Sequence, residues 1–429
     1  MKVTTVPSTG TDEREEPRPL RRTQAFAPAF RRDIEALTRA SPALEDLAAT
    51  FPGMLFALAT GFGTPERRRD CIFAIENGSS LKQTAAILGL PLWLRRLPPQ
   101  AFTHRLQELP SDAEFSRRIV DLIPLEPAQI GPWLRAIGHA YRGCDWRFAL
   151  WAARTLSKDN RFLLRSDGEI QFRMLTAWAW HADAPDSPGH RLLRKAWTPT
   201  MGLRRALEEL EAWRRRVALA VALNAHADGE SWLNAGSANG YDFVALLTPE
   251  DFIRESETME NCLDQYSDQF ENGGSRIFAV RRKDRSVATL EIAGHVGEAS
   301  MPAIRQLRGR RNHKARPEVW RAAYAWLGSQ PLRPRYSPRR LDRAEINRAL
   351  AELWLPYLQF LDETGLADDF ASSVIGLRAG SVKRRRKTAV KANLPTAPRG
   401  TTVEKSEKAE KSISSPLLKP SDATTSASA

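Results

Sequence analysis

The sequence predicts an α+β protein: a helical N-terminal region, a small antiparallel sheet domain with packed helices, and a disordered basic C-terminal tail. Three observations predict it. Apolar residues recur at spacings of three and four from Phe26 to about Leu233. Period-two alternation is concentrated between Arg276 and Arg308. From about Gly380 both patterns give way to a basic block and then Ser, Thr and Ala. The expected divisions are residues 1–24 (disordered), 25–235 (helical), 241–330 (α+β core), 341–376 (C-terminal helical segment) and 380–429 (disordered basic tail).

Residues 1–24 are rich in Pro, Thr and charge, too polar to offset chain entropy by burial. Phe30, Ile34 and Leu37 then set a helical stripe, and Pro42, Pro52 and Pro65 punctuate the helical region. Between Ser80 and Leu90, Ala85 stands four residues before Gly89, which suits two helices packed at a tight turn. A DNA-reading helix-turn-helix is disfavoured, because the next segment, Pro91 to Pro99, is short, apolar and closed by prolines, whereas a recognition helix needs polar residues. Trp133, Trp146, Trp151, Trp178, Trp180, Trp197, Trp213 and Trp232 sit mostly among Leu and Ala, so core packing is expected in preference to stacking on bases. Ala206 to Leu223 reads as one long helix with Arg214, Arg215 and Arg216 on its exposed side.

Thr248-Pro249-Glu250-Asp251 is a helix start: Thr caps, Pro suits the first helical position, and Asp251 can reach back to the cap. Met259, Cys262, Tyr266 and Phe270 then share one helical face, and Asn272-Gly273-Gly274 stops the helix. Arg276–Arg281 and Val287–Ile292 alternate around the polar turn Lys283 to Ser286, and a third run spans Ala303–Arg308. Alternation puts Thr289 and Glu291 on one face and Ala288, Leu290 and Ile292 on the other. It also groups Ile304, Gln306 and Arg308 against Arg305 and Leu307. Pro317 opens another helix, packing through Val319, Ala323, Trp326 and Leu327, and Leu341 to Leu361 reads as the final helical segment.

The order M-x-x-C-x-x-x-Y, then G, then I-F-x-x-R, T-L-E-I and Q-x-x-G-x-x-N resembles the core of the PcfJ-like family. The matching positions are Met259, Cys262, Tyr266, Gly273 or Gly274, Ile277, Phe278, Arg281, Thr289 to Ile292, Gln306, Gly309 and Asn312. The resemblance covers residues 241–330 and implies a bacterial protein associated with plasmids or other mobile elements, of no established activity. Where the family often carries His before the Cys, this chain has Asn261.

The residues left over from simple packing are Cys262, Tyr266, Glu291, Gln306 and Asn312, which form the candidate catalytic set. Cys262, in the first turn or so of its expected helix, is a candidate nucleophile needing a base such as His295 or His313; otherwise it is a buried structural thiol packed on Met259 and Phe270. Glu291, flanked by Leu290 and Ile292, is either a half-buried acid/base or an ion-pair partner of Arg281 or Arg308. Arg305, Arg308, Arg310, Arg311, Lys314 and Arg316 cluster without an intervening acid, either as a phosphate grip or as a solvated loop.

Composition bounds the function. The net charge is +13, with a sequence pI near 9.9, favouring polyanionic partners, nucleic acid first. Lys383, Arg384, Arg385, Arg386 and Lys387 begin a tail with 11 Lys and Arg against 4 Asp and Glu, a net +7. The seven histidines make no zinc spacing with each other or with Cys71, Cys144 and Cys262, and there is no phosphate loop or dinucleotide fingerprint, so neither metal nor cofactor is expected. Three scattered cysteines exclude a complete disulfide framework, and Phe51 to Phe62 is too short to span a bilayer. With no apolar signal segment at the N-terminus, the expectation is a cytoplasmic protein without membrane contact. Three functions stay open at this point: nucleic-acid contact, catalysis by the Cys262 set, and a scaffold without chemistry.

Overall fold

Prolines start the helices. Pro28, Pro42, Pro52, Pro65, Pro127, Pro249 and Pro317 each stand in the first turn of one, where a missing N–H leaves no bond unmade. The computed structural model describes residues 20–159, 161–225, 232–294, 302–331 and 340–376. The tail with Lys383, Arg384, Arg385, Arg386 and Lys387, the first 19 residues, His226 and His295 lie outside them. The fold is α+β, with helices around one five-stranded antiparallel sheet.

The helical body has an aromatic core. Trp133, Trp151, Trp178, Trp197 and Trp213 are all buried in it. A buried indole usually finds a partner for its N–H. Trp133 donates to the carbonyl of Ala153 at 3.0 Å and Trp213 to that of Gly189 at 2.9 Å. The helix Arg343–Glu363 returns to this same core with Leu353, Trp354, Tyr357 and Leu361. The Ser80–Leu90 stretch forms the helix Leu81–Leu88, capped by Ser80 and Gln83 and ended by Gly89 at φ 74°.

The helix Leu203–Ala225 joins the two halves of the molecule. Trp213, Val217 and Val221 face the helical core, whereas Leu219 and Ala222 face the sheet. One expectation fails on it: Arg216 is buried, not exposed, because Glu257 of the helix Pro249–Met259 meets it at 2.8 Å.

The sheet is a meander of β1 (Gly236–Ala238), β2 (Tyr241–Ala245), β3 (Ser275–Arg282), β4 (Arg285–Ala293) and β5 (Ala303–Arg308). Positive φ at Asn239 and Gly240, and again at Lys283 and Asp284, closes the two tight hairpins. One face packs on the helix Pro317–Gly328 through Phe243, Phe278, Ala288, Leu290, Ile292 and Trp326. The other lies under the Leu203–Ala225 and Pro249–Met259 helices and is apolar at Ile277 and Ala279 but polar toward β4 and β5.

Two local departures shape that polar half. The expected helix from Met259 to Phe270 is broken: Glu260, at φ 49°, ends Pro249–Met259, and after it come a short turn at Leu263–Gln265 and the helix Ser267–Glu271. Cys262 therefore precedes a turn and is not in the first turn of an α-helix. In β5 the register jumps, with Glu291 opposite Gln306 but Ile292 opposite Ile304. The extra residue, Arg305, is a bulge, which splits the expected grouping of Ile304 with Gln306 and Arg308. Ile304 packs on the apolar face, while Arg305 and Gln306 both reach Glu291.

Candidate functional site

Every β4 side chain is committed by the pleat. Leu290 and Ile292 go into the apolar core, so Thr289 and Glu291 must enter the opposite layer, where they are 6% and 4% exposed. A carboxylate so buried needs partners on both oxygens. Glu291 Oε1 accepts from the Ser275 hydroxyl at 2.6 Å and from Arg305 Nη1 at 3.2 Å. Its Oε2 accepts from Gln306 Nε2 at 2.5 Å and from the Tyr266 hydroxyl at 3.3 Å. Gln306 Nε2 also donates to the Tyr266 oxygen at 2.5 Å. Burial and then the Glu291 charge push Tyr266 up to about 12, so near neutral pH its hydroxyl keeps its proton and serves as a donor.

The next ring of the network runs along Thr289. Its oxygen accepts from Asn261 Nδ2 at 3.2 Å and its hydroxyl donates to Glu255 Oε1 at 3.3 Å. Asn261 Oδ1 in turn accepts from the backbone N–H of Leu263, which fixes the turn carrying Cys262. Glu255 is raised above its ordinary value, burial outweighing the hydroxyls of Ser286 and Thr289.

Cys262, Tyr266, Glu291, Gln306 and Asn312 line one cleft, together with Asn261, Thr289 and Arg308. They come from a turn, two strands and the loop after β5. Cys262 is an exposed residue, so the expectation of a buried structural cysteine packed on Met259 and Phe270 is overturned. The cleft is narrow: about 20 Å³ of cavity, room for one or two waters, so an organic substrate enters only if a wall moves. Both walls carry non-glycine residues in the left-handed region, Glu260 at φ 49° on one side and Arg311 and Asn312 at φ 56° and 58° on the other. Glu260 ties the walls together by accepting from both Arg310 and Arg311, and Arg311 first and then Arg310 hold its carboxyl below the usual range.

The expected partners change accordingly. Glu291 pairs with Arg305, not with Arg281 or Arg308. His313 does not line the cleft, and no histidine among the described residues does. Of the basic cluster, Arg305, Arg310 and Arg311 are neutralised by acids from other elements. Arg308, Lys314 and Arg316 are exposed and form no ion pair among the described residues. Sequence reasoning misses Ser275 and Glu255. For Ser275 a signal exists, since it lies two residues before Ile277 on the same strand face; for Glu255 only the orientation of its helix reveals it.

Chemically, Glu291 is a keystone and not a free base, because all its acceptor capacity is spent on donors that fix Tyr266, Gln306 and Ser275. That leaves Cys262, an exposed residue, in one cleft with Asn312 and with Arg308, which forms no ion pair among the described residues. A nucleophile near amide and guanidinium donors is the arrangement that carbonyl attack uses. Among the described residues, no group of three or more His, Cys, Asp or Glu is placed to hold a metal ion, and no helix is long and apolar enough to cross a membrane. Comparison with protein-family models, curated proteins and solved structures returns no match for this chain.

Proposed function

We propose that this is a PcfJ-like protein whose cleft is a catalytic centre, with Cys262 as a nucleophile toward a carbonyl substrate. In this reading Arg308 and Asn312 face the oxygen that gains negative charge, and Tyr266, Glu291 and Gln306 form the rigid floor that holds the geometry. The observation that carries it is the convergence of the five side chains on one cleft in which Cys262 is exposed. In the reaction the sulfur–carbon bond forms as the leaving group departs, and the thiol proton goes to solvent. The test is incubation of the full chain with a p-nitrophenyl ester or an acyl thioester, followed by peptide mapping. Acylation at Cys262, lost in Cys262→Ala, supports the proposal; acylation no faster than that of a free cysteine sinks it.

A second reading, nucleic-acid contact, is favoured by a separate observation: Arg308 in the cleft and Lys314 and Arg316 in the loop after it form no ion pair among the described residues, in a chain of net charge +13. Each phosphate they neutralise releases counterions, so binding falls with salt. Changing Arg308, Lys314 and Arg316 to Ala should flatten the salt dependence of DNA or RNA binding by up to about three units of log–log slope. An unchanged slope would assign binding elsewhere on the chain, and no binding at low salt would remove this reading.

A further inference from the structure

A second cavity lies between the Pro249–Met259 helix and the β3–β4 hairpin. Its volume is about 490 Å³, within the range of small-molecule sites and far larger than the cleft. At its floor is Glu255, 3% exposed, held by the hydroxyls of Ser286 at 2.7 Å and Thr289 at 3.3 Å. Neither donor carries charge, and this buried carboxylate forms no ion pair among the described residues. Its rim is basic. Arg254 leans on Asp251 at 3.9 Å and Arg310 on Glu260. Arg281 and Arg285 line the cavity too, and among the described residues neither side chain has an ion pair or hydrogen bond. Arg281 is half-buried and acts on Glu255 only through space. A partly desolvated guanidinium without a paired anion is costly, and it is the group best shaped to grip a phosphate. Of the hairpin residues that line the cavity, Arg281 and Arg285 stand against the single acid Asp284, so this end carries the excess positive charge.

We propose that this cavity binds a phosphate group carried on a sugar: the phosphate is gripped by Arg281 and Arg285, and a sugar hydroxyl donates to Glu255. The size fits one nucleotide. Such a group arrives either as a free mononucleotide or as one residue of a nucleic-acid strand. The site is independent of the thiol chemistry, although the Glu255–Thr289–Asn261 chain links it to the turn that carries Cys262.

Titration calorimetry of the full chain decides it, with inorganic phosphate, AMP and a 12-nucleotide RNA as probes. The expected result is AMP binding that weakens roughly tenfold in Arg281→Ala and in Arg285→Ala. Glu255→Gln should weaken AMP while sparing inorganic phosphate. Cys262→Ala should leave AMP binding unchanged, so that failure of this site and failure of the catalytic cleft are read separately. Binding of the RNA but not of AMP, with the same arginine dependence, supports the proposal and assigns the source to a strand. Should Arg281→Ala not fold, Arg285→Ala, an exposed position, decides alone. No binding of AMP or RNA at millimolar concentration, or binding indifferent to both arginines, overturns it.

Discussion

On the side of β4 that faces the Pro317–Gly328 helix, Ala288, Leu290 and Ile292 meet Phe278 and Trp326 in apolar contact. On the opposite side, Thr289 and Glu291 meet hydroxyls, amides and a guanidinium within hydrogen-bond distance. Both sides are buried, and the residues alternate along one strand. Burial on the first side is favourable by about 25 cal/mol per Å² of apolar surface. On the second it is costly unless each polar atom is satisfied, and it gains at most modest stability. The difference teaches that the first face holds the sheet together, whereas the second is retained for geometry.

The largest effect should come from the apolar face. Trp326→Ala removes a buried indole stacked on Phe243 at 4.6 Å between centroids, and should cost about 3–5 kcal/mol of unfolding free energy in a denaturant titration. A loss below about 1 kcal/mol would break the assignment of stability to this face.

The helical body sharpens the contrast, because it buries two histidines, His139 and His181. Burial pushes His139 and His181 down to about 3 from an ordinary 6.5. The unfolded chain then binds protons that the folded chain refuses, so their cost is absent above about pH 6.5 and grows as pH falls toward 3. At pH 5 each should cost roughly 2 kcal/mol. Thermal melts at about pH 7.5 and pH 5 check this, and His181→Gln should shrink the difference if it folds. A midpoint that does not move with pH would contradict it.

Smaller still should be the polar face itself. Glu291→Gln keeps the shape but sets an amide against donors, and should cost about 1–2 kcal/mol while lowering Cys262 acylation. Stability lost to the extent seen in Trp326→Ala would erase the distinction between the faces. Smallest should be Glu260→Gln, at an exposed clamp; the melting midpoint should stay put while alkylation of Cys262 speeds up as the cleft walls part. An unaltered alkylation rate would show that the clamp does not restrain the walls.

Much of this is legible in the residues. The β3–β4 hairpin, the third strand at Ala303–Arg308 and the Thr248–Asp251 cap come from local patterns, because pleat and capping are local physics. The β1–β2 hairpin escapes the period-two reading because its strands are short, although Asn239-Gly240 is a strong turn signal. Periodicity does not encode a bulge or a broken helix. Arg305 is inserted against its neighbours' alternation, and the chain turns left-handed at Glu260 with no glycine to announce it. Both events decide the site. The bulge brings Arg305 to Glu291, and the break exposes Cys262. The partners of Arg216, Arg310 and Arg311 are likewise hidden from sequence, since their acids lie on distant elements.

The most direct test compares two reactions of the Cys262 thiol in the native chain and in Arg308→Gln. Acylation by an ester builds negative charge on oxygen; alkylation by iodoacetamide does not. If Arg308 faces that oxygen, its loss should slow acylation roughly 100-fold and leave alkylation within about twofold. Acylation unchanged, or both rates falling together, would contradict the account of the cleft as a catalytic centre.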